Sequence, residues 1–221
     1  MNKGNPSISV NKILSRQEYI LNKSQKKNVL HIGCTDFPYT EKRIIKGELL
    51  HQKITDVSNN CVGIDLSEEG VSICKQHGLD NIVIADAEKL SKYGLGKFEI
   101  IIAGEVLEHV NNPGLFLSES KKSLDDGGLL VITVPNAFFV VRIVRLLFGK
   151  EDVHPDHVAY YSEKTLLELL RRYGYACTEI GYDFEFGSSF LKKICKFPLW
   201  LLYKLRPSFG QSLIVVAKAS L

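Results

Sequence analysis

The sequence has no apolar run approaching the roughly 18 residues that a membrane span needs. Its opening, MNKGNPSISVNKIL, lacks the apolar stretch of a secretory signal. Both absences lead to the expectation of a cytosolic protein. Cysteine is scarce and scattered: Cys34, Cys61, Cys74, Cys177 and Cys195 form no C-x-x-C pair, which argues against a disulfide framework and against a zinc-ribbon type of site. They read as reduced packing residues. Internal repeats and low-complexity tracts are also missing, which sets aside solenoids and disordered linkers.

The chain does have enough apolar material for a core. It has 221 residues, of which 45% are hydrophobic and 24% charged, a balance that suits one globular domain. The formal charge is only +3 but unevenly spread. Residues 137–150 carry Arg142, Arg145 and Lys150 with no acid, and residues 190–206 carry Lys192, Lys193, Lys196, Lys204 and Arg206 with none, so the remainder is net acidic. An acidic remainder with no legible RNA-binding module argues against a nucleic-acid partner. The two basic segments are rich in Phe, Leu and Trp, the character of interfacial helices, so peripheral contact with an anionic inner membrane surface is one expectation. The other is that they pack together as a lid and present cations to an acceptor.

From residue 28 onward, short apolar runs alternate with longer amphipathic ones, the pattern of a parallel sheet with crossover helices. The predicted strands are Asn28–Gly33, Cys61–Asp65, Asn81–Ile84, Phe98–Ala103, Leu129–Val134, Ala176–Tyr182 and Ser212–Ala217. Ser67, Asn112 and Ser162 are predicted N-caps, and Pro113 suits a first helical turn. Residues 40–57 read as one helix. Two stretches break the alternation, 136–160 and 184–210, and read as insertions. The expected organisation is an N-terminal extension over 1–27 and one domain over 28–221.

Three predicted strands run into residues with a use at a sheet's carboxyl edge, where ligands of open α/β sheets bind. The first ends at Ile32-Gly33-Cys34, where glycine lets backbone approach a ligand. The second ends at Asp65, placed to accept hydrogen bonds from ribose hydroxyls, and the third runs into Ala85-Asp86-Ala87. Taken singly, each acid is better explained as a turn or cap residue; it is the three in order that point to a ligand. The fourth strand leads into Gly104-Glu105-Val106-Leu107-Glu108-His109-Val110 and the fifth is preceded by Asp125-Asp126-Gly127-Gly128.

In that order, over residues 28–183, these motifs resemble the class I S-adenosylmethionine-dependent methyltransferases, particularly the small-molecule and glycan-modifying branch with an LEHV segment. The resemblance implies a Rossmann-like, doubly wound α/β fold with seven strands in the order 3-2-1-4-5-7-6, the last antiparallel, here with helical lid insertions. It implies S-adenosylmethionine as cofactor: Ile32, Gly33 and Cys34 along the methionine part, Asp65 on the ribose, Leu66 against the adenine, Asp86 and Ala87 at its edge, and Gly104 with Glu105 beside the amino group and sulfonium. The sulfonium supplies the reactive carbon, so the protein's part is positioning and a dry pocket.

The chain departs from the family's D-x-G-x-G-x-G loop, reading His31-Ile32-Gly33-Cys34-Thr35-Asp36-Phe37. Thr35 and Phe37 are expected to resist positive φ and to crowd the ligand. The 32 residues from Gly33 to Asp65 exceed the roughly 20 of a dinucleotide fingerprint, which argues against NAD. For a hydroxyl acceptor, His157 or His109 is the candidate base, since imidazole titrates near neutrality. Asp156 or Asp152 would orient His157, with His154, Tyr160, Tyr161 and Asn136 around the acceptor. A loop-packing role explains His157 equally well. No spacing predicts a metal; His154 with His157 and an acid comes nearest.

The expected function is O-methylation of a sugar, nucleotide-linked sugar or lipid-linked glycan. The alternatives are methylation of a small amine or quinone-like metabolite at a membrane surface, or a non-catalytic scaffold on the same fold.

Overall fold

The computed structural model describes residues 9–12, 15–151, 153–185 and 190–220. In chain order the elements are β1 (Ser9–Lys12), α1 (Arg16–Ser24), β2 (Asn28–Ile32), α2 (Thr40–Ile45), α3 (Leu50–Val57), β3 (Asn60–Asp65), α4 (Glu68–Gln76), β4 (Ile82–Ile84), β5 (Phe98–Gly104), α5 (Pro113–Ser123), β6 (Leu124–Pro135), α6 (Val140–Leu147), α7 (Glu163–Arg172), β7 (Tyr175–Tyr182), α8 (Phe190–Leu205) and β8 (Ser212–Ala219), with 3₁₀ turns at Ala87–Tyr93 and Pro207–Phe209. One sheet runs β4-β3-β2-β5-β6-β8-β7-β1. Counted from β2, the first seven strands in this row have the order 3-2-1-4-5-7-6, with β8 antiparallel to both β6 and β7. This is the Rossmann-like methyltransferase sheet.

The central strands are apolar on both sides because both faces of the sheet are covered. On β2, Leu30 and Ile32 enter one cluster and Val29 the other; on β5, Ile101 and Ala103 alternate with Ile100 and Ile102. Helix α1 closes the second face through Ile20, α3 adds Ile54, and α5 seals the first face with Phe116 and Leu117. Caps set the helix starts as the sequence predicts. The side chains of Ser67, Asn112 and Ser162 accept from Gly70 N, Leu115 N and Thr165 N, satisfying donors that a first turn leaves free.

The fold departs from expectation in three places. Residues 40–57 form two helices, α2 and α3, because the chain turns at Gly47 with φ +63°. Strand β6 begins at Leu124, five residues before its predicted start, and a register shift against β5 absorbs the glycine turn. Residues before 28 contribute an eighth strand, β1, parallel to β7 at the edge of the sheet, followed by α1.

The two insertions supply α6 and α8, which pack on each other. Val140 and Tyr203 anchor them to the core, and the Tyr203 hydroxyl donates to the Tyr182 carbonyl at 2.8 Å. Among the described residues of these insertions, only Asp156 lines the cavity at the carboxyl ends of the first strands. Among the described residues, no helix is long and apolar enough to cross a membrane.

Candidate active site

The carboxyl ends of β2, β3 and β5 and the turn after β4 open on a cavity of about 720 Å³. That lies within the roughly 300–1,000 Å³ usual for small-molecule sites. β2 delivers Ile32, Gly33 and Cys34 to its wall, β3 delivers Asp65 and Leu66, the turn after β4 delivers Asp86 and Ala87, and β5 delivers Gly104 and Glu105. Every residue that the sequence assigned to the cofactor therefore lines one cavity.

The unusual loop after β2 is accommodated without strain at Thr35. Positive φ falls on Gly33 (+71°) and Asp36 (+58°), while Thr35 and Phe37 keep negative values. Thr35 is buried and turns its side chain toward α4: a Cβ on Gly70 would lie 2.5 Å from the Thr35 hydroxyl oxygen. Its N–H and hydroxyl both donate to Asp65 Oδ2 at 2.9 Å, and Ser67 N–H donates to Oδ1 at 3.0 Å. The positive φ that Thr35 is expected to resist falls on its neighbours, and Thr35 braces Asp65 at the cavity wall. An ionised carboxylate offers about four lone-pair sites, so three donors leave room for a ligand hydroxyl. Asp36 pairs with Arg43, which holds the far side of the loop. Phe37 and Leu66 stand exposed at the mouth, whereas Asp86 caps the following turn through Glu88 N and pairs with Lys89 at 2.6 Å.

At the other end of the cavity, α1 brings Arg16 over β5. Its Nη1 donates to Thr133 Oγ1 at 3.1 Å and lies 3.5 Å from Glu105 Oε1, and the Thr133 hydroxyl donates to the same Glu105 oxygen at 3.1 Å. Burial raises the Glu105 carboxyl and Arg16 opposes the shift. Below this end, His31 and His51 face each other Nδ1 to Nδ1 at 3.3 Å in a buried pair. Burial holds both neutral, His31 well below the usual range and His51 at about 4. Arg16 and the histidine pair carried no sequence motif; they depend on contacts between distant segments.

A third group stands beside the cavity. The turn after β5 carries Glu108 and His109, and the loop before α7 brings His157 against them. The His109 and His157 rings lie 4.6 Å apart, and His157 Nε2 is 4.0 Å from Glu108 Oε1. Glu108 is 1% exposed, and among the described residues neither of its oxygens has a hydrogen-bond partner; His157 Nδ1 is likewise buried and without a partner among them. Burial, reinforced by Glu105, pushes the Glu108 carboxyl up to about 8. Burial and the neighbouring His109 and His154 lower His157. The carboxylate facing His157 is Glu108, which the sequence reading gave no role, although Glu105, Glu108 and His109 at i, i+3, i+4 were the available signal.

The expected acceptor residues divide. His154 is near the cluster, with its ring 5.3 Å from His157 and its Nδ1 3.7 Å from Asp156. Tyr160 is exposed, 6.2 Å from the His157 ring and under the Arg142 guanidinium at 4.8 Å. Tyr161 belongs to the core. Asn136 is occupied structurally, its amide donating to Ser208 O and Gly210 O at 2.8 Å and accepting from Phe138 N. Asp156 pairs with His154 rather than orienting His157, and Asp152 lies outside the described residues.

A seven-strand 3-2-1-4-5-7-6 sheet with its ligand cavity at the first strands' carboxyl ends defines a class I methyltransferase fold. Residues 12–180 match the model of the Methyltransferase domain family, and the chain belongs to that family. Solved structures of similar fold include an S-adenosylmethionine-dependent methyltransferase from Archaeoglobus fulgidus (TM-score 0.58, 19% identity, covering 92% of this chain and 95% of that one). Another is the magnesium protoporphyrin IX methyltransferase of Synechocystis PCC 6803 with bound S-adenosylhomocysteine (TM-score 0.60, 15% identity, 92% and 82%). Among curated proteins, the chain is similar to the ubiquinone biosynthesis O-methyltransferases of Caulobacter sp. strain K31 (30% identity over 113 residues, 49% of this chain and 40% of that protein) and Agrobacterium fabrum (31% over 130 residues, 57% and 47%). It spans about half the length of these relatives or less.

Proposed function

We propose that the protein moves a methyl group from S-adenosylmethionine to a hydroxyl of a quinone-like metabolite at a membrane surface. The observation that carries the cofactor half is the arrangement of opposite charges along one cavity. Arg16 beside Glu105 matches the carboxylate and ammonium of an amino-acid zwitterion, and Asp65 keeps room to accept from a ribose hydroxyl. Leu66 offers an apolar face to a base. When bound, the cofactor supplies an electrophilic methyl carbon on sulfur; the chain orients it, excludes water and receives the acceptor beside Glu105.

The quinone-like acceptor is favoured over the sugar or glycan for two reasons. The curated relatives are named for ubiquinone biosynthesis. The α6–α8 pair also leaves an apolar surface outward: Leu147 and Phe148 are each 79% exposed and Leu205 84%, with Lys204 over the Trp200 ring at 4.7 Å and Arg206 beyond. Apolar side chains rimmed by cations suit an anionic interface where a prenylated acceptor would reside. The Glu108–His109–His157 group stands beside the cavity, where the acceptor hydroxyl has to lose its proton.

Calorimetric titration with S-adenosylhomocysteine tests the cofactor half: micromolar binding lost in Asp65→Ala supports it, and no binding by the wild type returns the chain to the scaffold alternative. Methyl transfer to a prenylated catechol in anionic vesicles, set against a panel of nucleotide sugars, tests the acceptor. Transfer to a nucleotide sugar instead would restore the glycan reading.

A further inference from the structure

We infer that Glu108, His109 and His157 form a binding site for one first-row divalent cation, a site that sequence spacing did not predict. One ligand atom from each residue can be chosen so that all three lie within 4.8 Å of one another. Donors arranged tetrahedrally around an ion at about 2.1 Å stand about 3.4 Å apart. His157 Nε2 lies 4.0 Å from Glu108 Oε1, so side-chain rotations moving the donors by roughly an ångström would bring the three onto one ion.

The stronger argument is polar accounting. Among the described residues, Glu108, at 1% exposure, has no hydrogen-bond partner for either carboxylate oxygen. A buried carboxylate with neither donor nor cation is among the costliest arrangements in a protein interior. A bound ion resolves it. A proton alone does not, because at 4.0 Å a protonated Glu108 makes no hydrogen bond to His157.

The surroundings prepare the imidazoles as ligands. His109 Nδ1 lies 3.2 Å from the Asp156 carbonyl oxygen, which selects the tautomer that donates from Nδ1 and leaves the Nε2 lone pair free. His109 and Asp156 both line the cavity, as Glu105 does, which sets the cluster against its wall. One carboxylate with two imidazoles favours borderline ions such as Mn²⁺, Co²⁺ or Zn²⁺ over Mg²⁺ or Ca²⁺, which prefer all-oxygen sets.

Ion binding stands on this geometry alone, whereas its role in transfer rests on the methyltransferase reading above. In that role the ion coordinates the acceptor hydroxyl oxygen and lowers its pKa. The O–H bond breaks and the proton passes to solvent; the O–C bond then forms as the sulfonium C–S bond breaks, leaving the neutral thioether. No redox change is involved. His109 and His157, engaged as ligands, then do not act as the base.

The test uses the full chain stripped with a chelator and titrated with Co²⁺, read by visible absorption, and with Mn²⁺, read by calorimetry. The expected result is one ion per chain at micromolar affinity, weakened at least tenfold in both Glu108→Gln and His157→Ala. S-adenosylhomocysteine affinity in the same variants serves as the control for folding. No stoichiometric ion in the wild type, or equal binding by the wild type and both variants, overturns the site. If the wild type binds Co²⁺ but not S-adenosylhomocysteine, the cofactor reading fails and the cation site stands.

Discussion

The two halves of the site are built in opposite ways. On the cofactor side, the end of each strand supplies its own ligand group and the local chain pins it, as Thr35 and Ser67 do for Asp65. On the acceptor side, the groups come from segments some fifty residues apart, and their polar atoms are left without partners, as in Glu108 and His157. A site whose hydrogen bonds close on themselves is complete before ligand arrives. One with orphaned buried atoms is arranged around something else, and that is where the proposed ion would bind.

The largest expected break in this contrast comes from Asp65→Ala. Hydrogen bonds to charged groups contribute about 1.5–3 kcal/mol each, so losing the ribose contacts should weaken S-adenosylhomocysteine binding about a hundredfold or more. Calorimetry reads it, and an unchanged affinity would detach Asp65 from the ribose.

Acid should undo the cofactor side from beneath. His31 and His51 are neutral in the fold, beside Arg16 and Cys61, and burial pushes His51 down to about 4 from the roughly 6.5 of a free imidazole. Between those values the unfolded chain binds more protons, so stability is full above pH 6.5 and declines as pH falls toward 4, by roughly 3 kcal/mol from His51 alone. Urea midpoints across that range should show a shallower decline in His51→Gln than in the wild type.

The double variant Leu147→Glu with Phe148→Glu should reduce partition into anionic vesicles about tenfold or more, since burying each such side chain contributes about 1.5–3 kcal/mol. Cofactor affinity should not change. Flotation reads the first and calorimetry the second; equal flotation would remove the membrane surface from the proposal.

Smallest is Thr35→Val, which keeps the shape but removes the hydroxyl donor to Asp65. About a tenfold weakening of S-adenosylhomocysteine is expected from one charge-assisted hydrogen bond. Gly at the same position would show whether bracing or mere space matters.

The contrast also explains what could be read from the chain alone. Strands β2, β3 and β5 were legible because burial on both faces leaves continuous apolar runs, and Ser67, Asn112 and Ser162 mark helix starts by local chemistry. Asp65, Asp86 and Glu105 were legible because each closes a strand. The break at Gly47 was missed because the apolar spacing continues across it. Arg16 and β1 were invisible because their partners, Glu105 and Glu179, lie far along the sequence. Glu108 was passed over because its meaning depends on His157, which tertiary folding alone brings near. Asn136 and Tyr161 were misplaced for the converse reason: polar and aromatic residues beside an expected pocket serve equally well as staples.

The short strand β1 has a consequence for how the molecule meets its own copies. By pairing along β7 from Ser9↔Glu179 to Lys12↔Tyr182, it occupies a row of amide donors and acceptors that would otherwise offer a template for another chain. The same leading segment then runs into the helix that carries Arg16. The cover over the β7 edge and the proposed grip of Arg16 on the methyl donor therefore share one stretch of polypeptide, so proteolysis within it is expected to uncover that edge and weaken cofactor binding together.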